Sequence, residues 1–155
     1  MTREEFLAKA IEAARLSSKS SGLPVGITVA QAALESSWGN SELSRRANNY
    51  FGIKAHGKHD SVEMPTIEVI EGRSQRVTER FAAYEDMGKC FACRDRLILG
   101  GAAYEEARAS KHNPELFARA LAKHWATDPR YAEKLLATYQ SNSLHKFDEV
   151  ACSTS

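Results

Sequence analysis

Apolar residues recur at helical spacing through Phe6, Leu7, Ala10, Ile11, Ala14 and Leu16, which predicts an amphipathic helix near the start of the chain. Thr2 and Glu5 form a capping box at its entrance, and the polar run from Ser17 to Gly22 breaks the stripe. A second apolar pattern follows Pro24, whose ring suits the opening turn of a helix. It runs to about Trp38, with Gly39 as its stop. A short helix is predicted around Ser41 to Ala47, then an irregular loop from Asn48 to Asp60 containing Gly52 and Gly57.

Between Ser61 and Phe81 the period shortens. Thr66 to Ile70 and Arg76 to Phe81 flank Glu71-Gly72-Arg73, the pattern of a β-hairpin. Helical spacing then returns from Tyr84 to Leu99, ending at Gly100-Gly101. Asn113-Pro114 opens a helix carrying Phe117, Leu121 and Trp125. Asp128-Pro129 opens another, with Tyr131, Leu135 and Tyr139 on one face; both starts set a polar N-cap before a proline. The expected architecture is α+β and predominantly α, one domain over residues 1–148 with a short polar tail over 149–155 that should fray.

Composition changes this picture little. In 155 residues, 43% are hydrophobic and 26% charged, with a net charge of +1. That is ordinary for a globular domain and gives no global field towards nucleic acid or an anionic membrane. The N-terminus lacks a basic segment leading into an apolar one, so cytoplasmic synthesis without a signal peptide is expected. No run approaches the roughly 18 apolar residues of a membrane span, and no membrane insertion is expected. Cys90 and Cys93 make a C-x-x-C inside a helical pattern with no second pair, so they read as packing or surface thiols. His56, His59 and Asp60 lie in a loop without metal-site spacing. No metal, no cofactor and no nucleic-acid partner is expected, and the chain is taken as a monomer.

The candidate chemistry centres on Glu35. At about 100° per residue, Ile27, Ala30, Leu34 and Trp38 define the apolar arc of the second helix, and Glu35 lies at its edge beside Gln31. It also falls in the last turn, at the negative end of the helix dipole. Both surroundings disfavour a carboxylate and should raise its pKa. A carboxyl group that keeps its proton near neutral pH is what glycoside cleavage needs as its acid.

Glu35-Ser36-Ser37-Trp38-Gly39, Asn48-Asn49-Tyr50-Phe51-Gly52-Ile53-Lys54 and Ala126-Thr127-Asp128-Pro129-Arg130-Tyr131-Ala132 occur in this order. The chain thereby resembles the glucosaminidases of glycoside hydrolase family 73, from about Phe6 to Phe147. The resemblance implies a lysozyme-like fold, with a helical lobe and a small β-hairpin lobe flanking a substrate groove. It matches the family's catalytic glutamate to Glu35. It also implies a second acid on the β-lobe, in the segment similar to Thr66-Ile67-Glu68-Val69, which selects Glu68; Glu63, Glu71 and Glu79 are alternatives on the same ribbon. Tyr131 matches the family's tyrosine in the Asp-Pro motif. With Gln31, Asn49 and Tyr84 it makes up the expected substrate-binding set, while Trp38 is expected to buttress the Glu35 helix and Phe51 to pack in the core. Ser37 and Cys93-Arg94 depart from the family pattern, the first by a small gain in volume and the second in packing.

The implied activity is peptidoglycan hydrolysis by an endo-β-N-acetylglucosaminidase, acting on GlcNAc-MurNAc glycan strands. Either Glu68 or the sugar's own 2-acetamido group would assist Glu35. The competing readings are a muramidase or lytic transglycosylase on the same fold, or an inactive wall-binding or assembly module. The wall would be reached by holin-type release, virion delivery or specialised export.

Overall fold

A computed structural model describes residues 1–149. Residues 150–155, with Cys152 and nearly all of the expected tail, lie outside the described residues. The elements run α1 (Arg3–Ser21), α2 (Val25–Ser36), α3 (Glu42–Ala47), β1 (Ser61–Ile70), β2 (Arg73–Ala82), α4 (Met87–Gly100), α5 (Glu105–Ala109), α6 (Pro114–Trp125) and α7 (Tyr131–Ser141). Short 3₁₀ turns occupy Ala102–Tyr104 and Leu144–Phe147.

Thr2 caps α1 as expected, its hydroxyl accepting from Glu5 N at 3.0 Å. The helix does not break at Ser17, however. It continues to Ser21 and ends at Gly22, where φ is +72°. The serines face inward: Ser17 and Ser21 donate to Asp95 Oδ2 at 2.6 and 2.8 Å, and Ser18 donates to the Leu23 carbonyl at 2.7 Å. A run that reads as a polar break thus lines a buried carboxylate. Leu16, counted in the apolar stripe, is 63% exposed.

α2 is buried from Gly26 to Ala33 and is the central helix of the core. Pro24 precedes it and offers no side-chain cap. Asp148 supplies the cap from the far end of the chain. Its carboxylate accepts from Gly26 N at 3.0 Å and Ile27 N at 3.3 Å, and Tyr139 donates to it at 3.0 Å. Two to three helix-start donors and the dipole are thereby satisfied together.

The helix ends at Ser36, short of Trp38, because Ser37, Trp38 and Gly39 all take left-handed φ values of +51°, +57° and +79°. Ser36 locks this turn by donating to the Ala32 carbonyl at 2.6 Å and accepting from Gly39 N at 2.9 Å. Trp38 folds back edge-on to Phe6, with Arg3 over its other face. The left-handed φ also changes what matters about Ser37. At φ of +51° the conformation is one that glycine adopts most readily, so backbone strain bears on this position more than side-chain volume.

The hairpin is longer than its sequence pattern suggests. Pairing runs from Ser61↔Ala82 to Ile70↔Arg73, and only Glu71 and Gly72 form the turn, both at positive φ. That is the geometry of a two-residue hairpin turn. Val62, Met64, Thr66 and Glu68 share the half-buried face, while Ile67 and Val69 are each 72% exposed on the other. The preceding loop is stitched to the hairpin by Ala55 N to the Arg80 carbonyl and Ala82 N to the Ile53 carbonyl, both 2.9 Å.

α4 begins at Met87, not Tyr84, with Asp86 accepting from Lys89 N at 2.8 Å. Asn113 caps α6 before Pro114 as expected. Asp128 does not cap α7 directly. It holds the preceding turn by accepting from Arg130 N at 2.9 Å, and the helix begins at Tyr131. Phe6, Ile27, Phe51, Phe91, Phe117, Leu121 and Leu135, each no more than 1% exposed, form the centre of one core.

Candidate active site

Glu35 projects from the last turn of α2 and is largely enclosed. One oxygen, Oε1, accepts from the Tyr131 hydroxyl at 2.7 Å. The other lies towards Gly52, where a Cβ would come within 3.9 Å of it. Gly52 has φ of +68° and is exposed, so the loop keeps the approach to this oxygen free of side chain. Burial raises the Glu35 pKa, and the Tyr131 hydrogen bond partly opposes that rise. The direction agrees with the reading from helix position.

Tyr131 stands at the first residue of α7 and is 5% exposed. Its hydroxyl reaches the carboxyl instead of open solvent. Burial, then the neighbouring Glu35 charge, push its own ionisation far upward, so it stays a donor across the working pH range. Tyr131→Phe removes a hydrogen bond that favours ionised Glu35. The alkaline limb of the activity profile should move to higher pH, with turnover down about tenfold. An unmoved limb would show that this bond does not tune the acid.

The remaining expected site residues divide. Glu68 lies on the inner face of the hairpin, with Oε1 3.3 Å from Lys54 Nζ; the same ammonium is 3.4 Å from Glu79 Oε1. Asn49 is 1% exposed, and its amide is used up by backbone. It donates to the Ile53 and Ala82 carbonyls at 2.9 Å and accepts from Phe51 N and Ile53 N. It therefore shapes the loop under Glu35, with its amide groups all paired to backbone. Gln31 is fully buried, with its amide oxygen accepting from Arg94 Nε at 3.0 Å. Tyr84 is half-buried and donates to Cys93 Sγ at 3.2 Å. Cys90 is buried, accepts from Tyr50 N at 3.4 Å, and has its thiol pushed up to about 12 by burial.

This arrangement of helix, loop and hairpin has counterparts among known proteins. A family profile described as mannosyl-glycoprotein endo-beta-N-acetylglucosaminidase matches residues 11–144. The chain belongs to the glucosaminidase family, glycoside hydrolase family 73. It is 37% identical over 132 residues to the exo-glucosaminidase LytG of Bacillus subtilis, a match covering 80% of this chain and 46% of that protein. It is 35% identical over 137 residues to the peptidoglycan hydrolase FlgJ of Escherichia coli, covering 84% and 44%. The chain thus spans under half the length of these relatives. The catalytic domain of the autolysin Auto from Listeria monocytogenes superposes with a TM-score of 0.84 at 27% identity, over 94% of this chain and 86% of that one. The glycoside hydrolase domain of FlgJ from Salmonella typhimurium, C-terminally truncated, gives 0.74 at 33% identity, over 92% and 98%. The lysozyme-like fold expected from the resemblance is the fold observed.

Within this family fold, Glu35 is enclosed between α2, the Gly52 loop and Tyr131 of α7. A cavity of about 490 Å³ between α1 and α4, walled by residues including Ala13, Leu16, Ala92 and Leu99, does not include Glu35 in its lining. Sequence reading missed Lys54, which ties two hairpin carboxylates to the loop beneath Glu35, and Ser36, which fixes the turn just after it. Lys54 closes the family-like Asn-Asn-Tyr-Phe-Gly-Ile-Lys stretch, so its position was the available signal. No helix among the described residues is long and apolar enough to cross a membrane.

Proposed function

We propose that this domain cleaves the β-1,4 bonds of peptidoglycan glycan strands on the reducing side of N-acetylglucosamine. The observation that carries the reading is the Glu35–Tyr131 pair: an enclosed carboxyl with raised pKa, one oxygen held by a donor and the other facing an exposed glycine. Glu35 gives its proton to the bridging oxygen as the C1–O bond breaks, and the departing sugar leaves as an alcohol. The carboxylate that results is stabilised by the Tyr131 hydroxyl. Water then adds to C1 and gives its proton to Glu68; in the alternative route the 2-acetamido oxygen first bonds to C1, and water displaces it while giving its proton to the Glu35 carboxylate, which restores the acid.

Lys54 supports the Glu68 route by holding that carboxylate against the loop. Its contribution to stability is small, because the pair is substantially exposed. Glu68→Gln separates the two routes: loss of about 100-fold is expected if Glu68 activates the water, and near-native rates if the acetamido group serves instead.

The bond cleaved is tested by mass spectrometry of products from purified peptidoglycan. Reducing N-acetylglucosamine ends are expected. Reducing N-acetylmuramic ends would make the domain a muramidase, anhydro ends a transglycosylase, and binding without products a wall-binding module. The domain would act as a monomer on the wall, delivered by holin-type release, a virion or an export route.

A further inference from the structure

Arg94 is completely buried on α4. Its Nη1 donates to Asp95 Oδ1 and to Thr28 Oγ1, each at 2.8 Å, and its Nε donates to Gln31 Oε1 at 3.0 Å. The guanidinium also lies 5.4 Å from the Phe51 ring centroid and 5.9 Å from that of Phe117. Asp95 is completed by Ser17 and Ser21. Thr28, Gln31 and Glu35 follow one another at helical spacing on α2, so the arginine grips the face of the helix that carries the acid.

An arginine has donors only, and this settles which end of the Gln31 amide is which. The carbonyl must face Arg94, which leaves Nε2 on the side of Tyr131. That buried nitrogen points its donor at the Tyr131 hydroxyl, an approach that favours the phenolate but falls short of full hydrogen-bond geometry. Were the amide reversed, its carbonyl would compete with Glu35 for the Tyr131 proton. With the carbonyl pinned, Glu35 Oε1 is the one acceptor of the hydroxyl among the described residues.

We infer that Arg94, braced by Asp95, is a positioning residue that fixes the Gln31 amide and thereby commits the Tyr131 hydroxyl to donate to Glu35. The inference concerns the same acid as the function proposed above. Its test uses no substrate, so the two can fail independently.

The test is an NMR titration of the Glu35 side-chain carboxyl carbon in the full chain. Arg94→Met is combined with Asp95→Asn so that no charge is left buried alone, and the pair is compared with the unaltered chain, which carries the same net charge. Freed from Arg94, the Gln31 carbonyl can take the Tyr131 proton, and the Glu35 midpoint should rise by about half a pH unit or more. Adding Gln31→Met removes the competing carbonyl and should return the midpoint to that of the comparison protein. Adding Tyr131→Phe instead should leave nothing for the Arg94 change to alter, a non-additive result that a general loosening of the core would not give. Arg94→Lys retains the buried charge and is the second variant if the pair fails to fold. Its ammonium lacks the planar fork that serves three acceptors, so a smaller rise is expected. A midpoint that stays put in the folded variants, or that shifts equally with and without the Tyr131 hydroxyl, overturns the inference.

Discussion

Glu35→Gln should lower the rate of peptidoglycan cleavage by about 10³-fold, the scale set by loss of a positioned general acid. The same change should also raise the melting temperature at neutral pH. The sign follows from linkage. Glu35 has a folded pKa above its ordinary 4.5 because it is buried. The folded chain therefore keeps a proton that the unfolded chain releases, and stability declines as pH rises from about that ordinary value through the folded one. Glutamine has no charge to bury and escapes the decline. Melting curves at pH 7 and at about pH 3.5 test this: the variant should exceed the parent at the first and match it at the second. Clearing by the glutamine variant at the parental rate would remove Glu35 from the chemistry. A melting difference independent of pH would remove burial as the cause of its raised pKa.

The second large effect concerns stability at a position far from the acid. Gly26 is in the first turn of α2, where helix propensity alone predicts that alanine would stabilise by up to about 1 kcal/mol. A Cβ there would stand 2.2 Å from the Leu144 carbonyl oxygen, 2.7 Å from Tyr139 Cε1 and 2.8 Å from Asp148 Oδ2. The first of these is backbone and cannot swing aside. Gly26→Ala should therefore push the closing 3₁₀ turn off α2 and break the Asp148 cap. Overpacking contributes a loss of roughly 1–3 kcal/mol and the lost cap about 1 more. At about 2–4 °C per kcal/mol for a chain of this size, the melting temperature should fall by about 10 °C. An unchanged or higher value would mean that α2 and the C-terminal turn are not packed as closely as they are described. Asp148→Asn keeps the shape and weakens only the charge on the cap, so it should cost far less than Gly26→Ala.

The elements legible in the sequence are those whose causes lie within a few residues. Thr2 and Glu5 announce α1, Asn113-Pro114 announces α6, and Glu71-Gly72 between alternating residues announces the hairpin. Glu35 was singled out as the candidate acid because its pKa depends first on a local fact, its place on the apolar edge of a helix end. Errors gathered where a distant partner changes what a residue means. The serines closing α1 read as a break, yet Asp95 makes them interior. Asn49 and Gln31, expected in the substrate-binding set, have side chains held inside by backbone carbonyls and by Arg94, which no local pattern announces. Nothing near Pro24 discloses that its helix is capped by a residue more than a hundred positions away.

Sequence by itself determined the class of fold and the family and singled out Glu35 as the candidate acid, because hydrophobic period, capping pattern and three ordered motifs are local and survive without any knowledge of packing. Only the tertiary structure decided which oxygen of Glu35 is held and which is free, how Gln31 is oriented, and what caps the helix that carries the acid. Each of those is a meeting of side chains from different helices or loops. Hydrogen bonds in a buried site are set by which donors remain unspent once the core has closed.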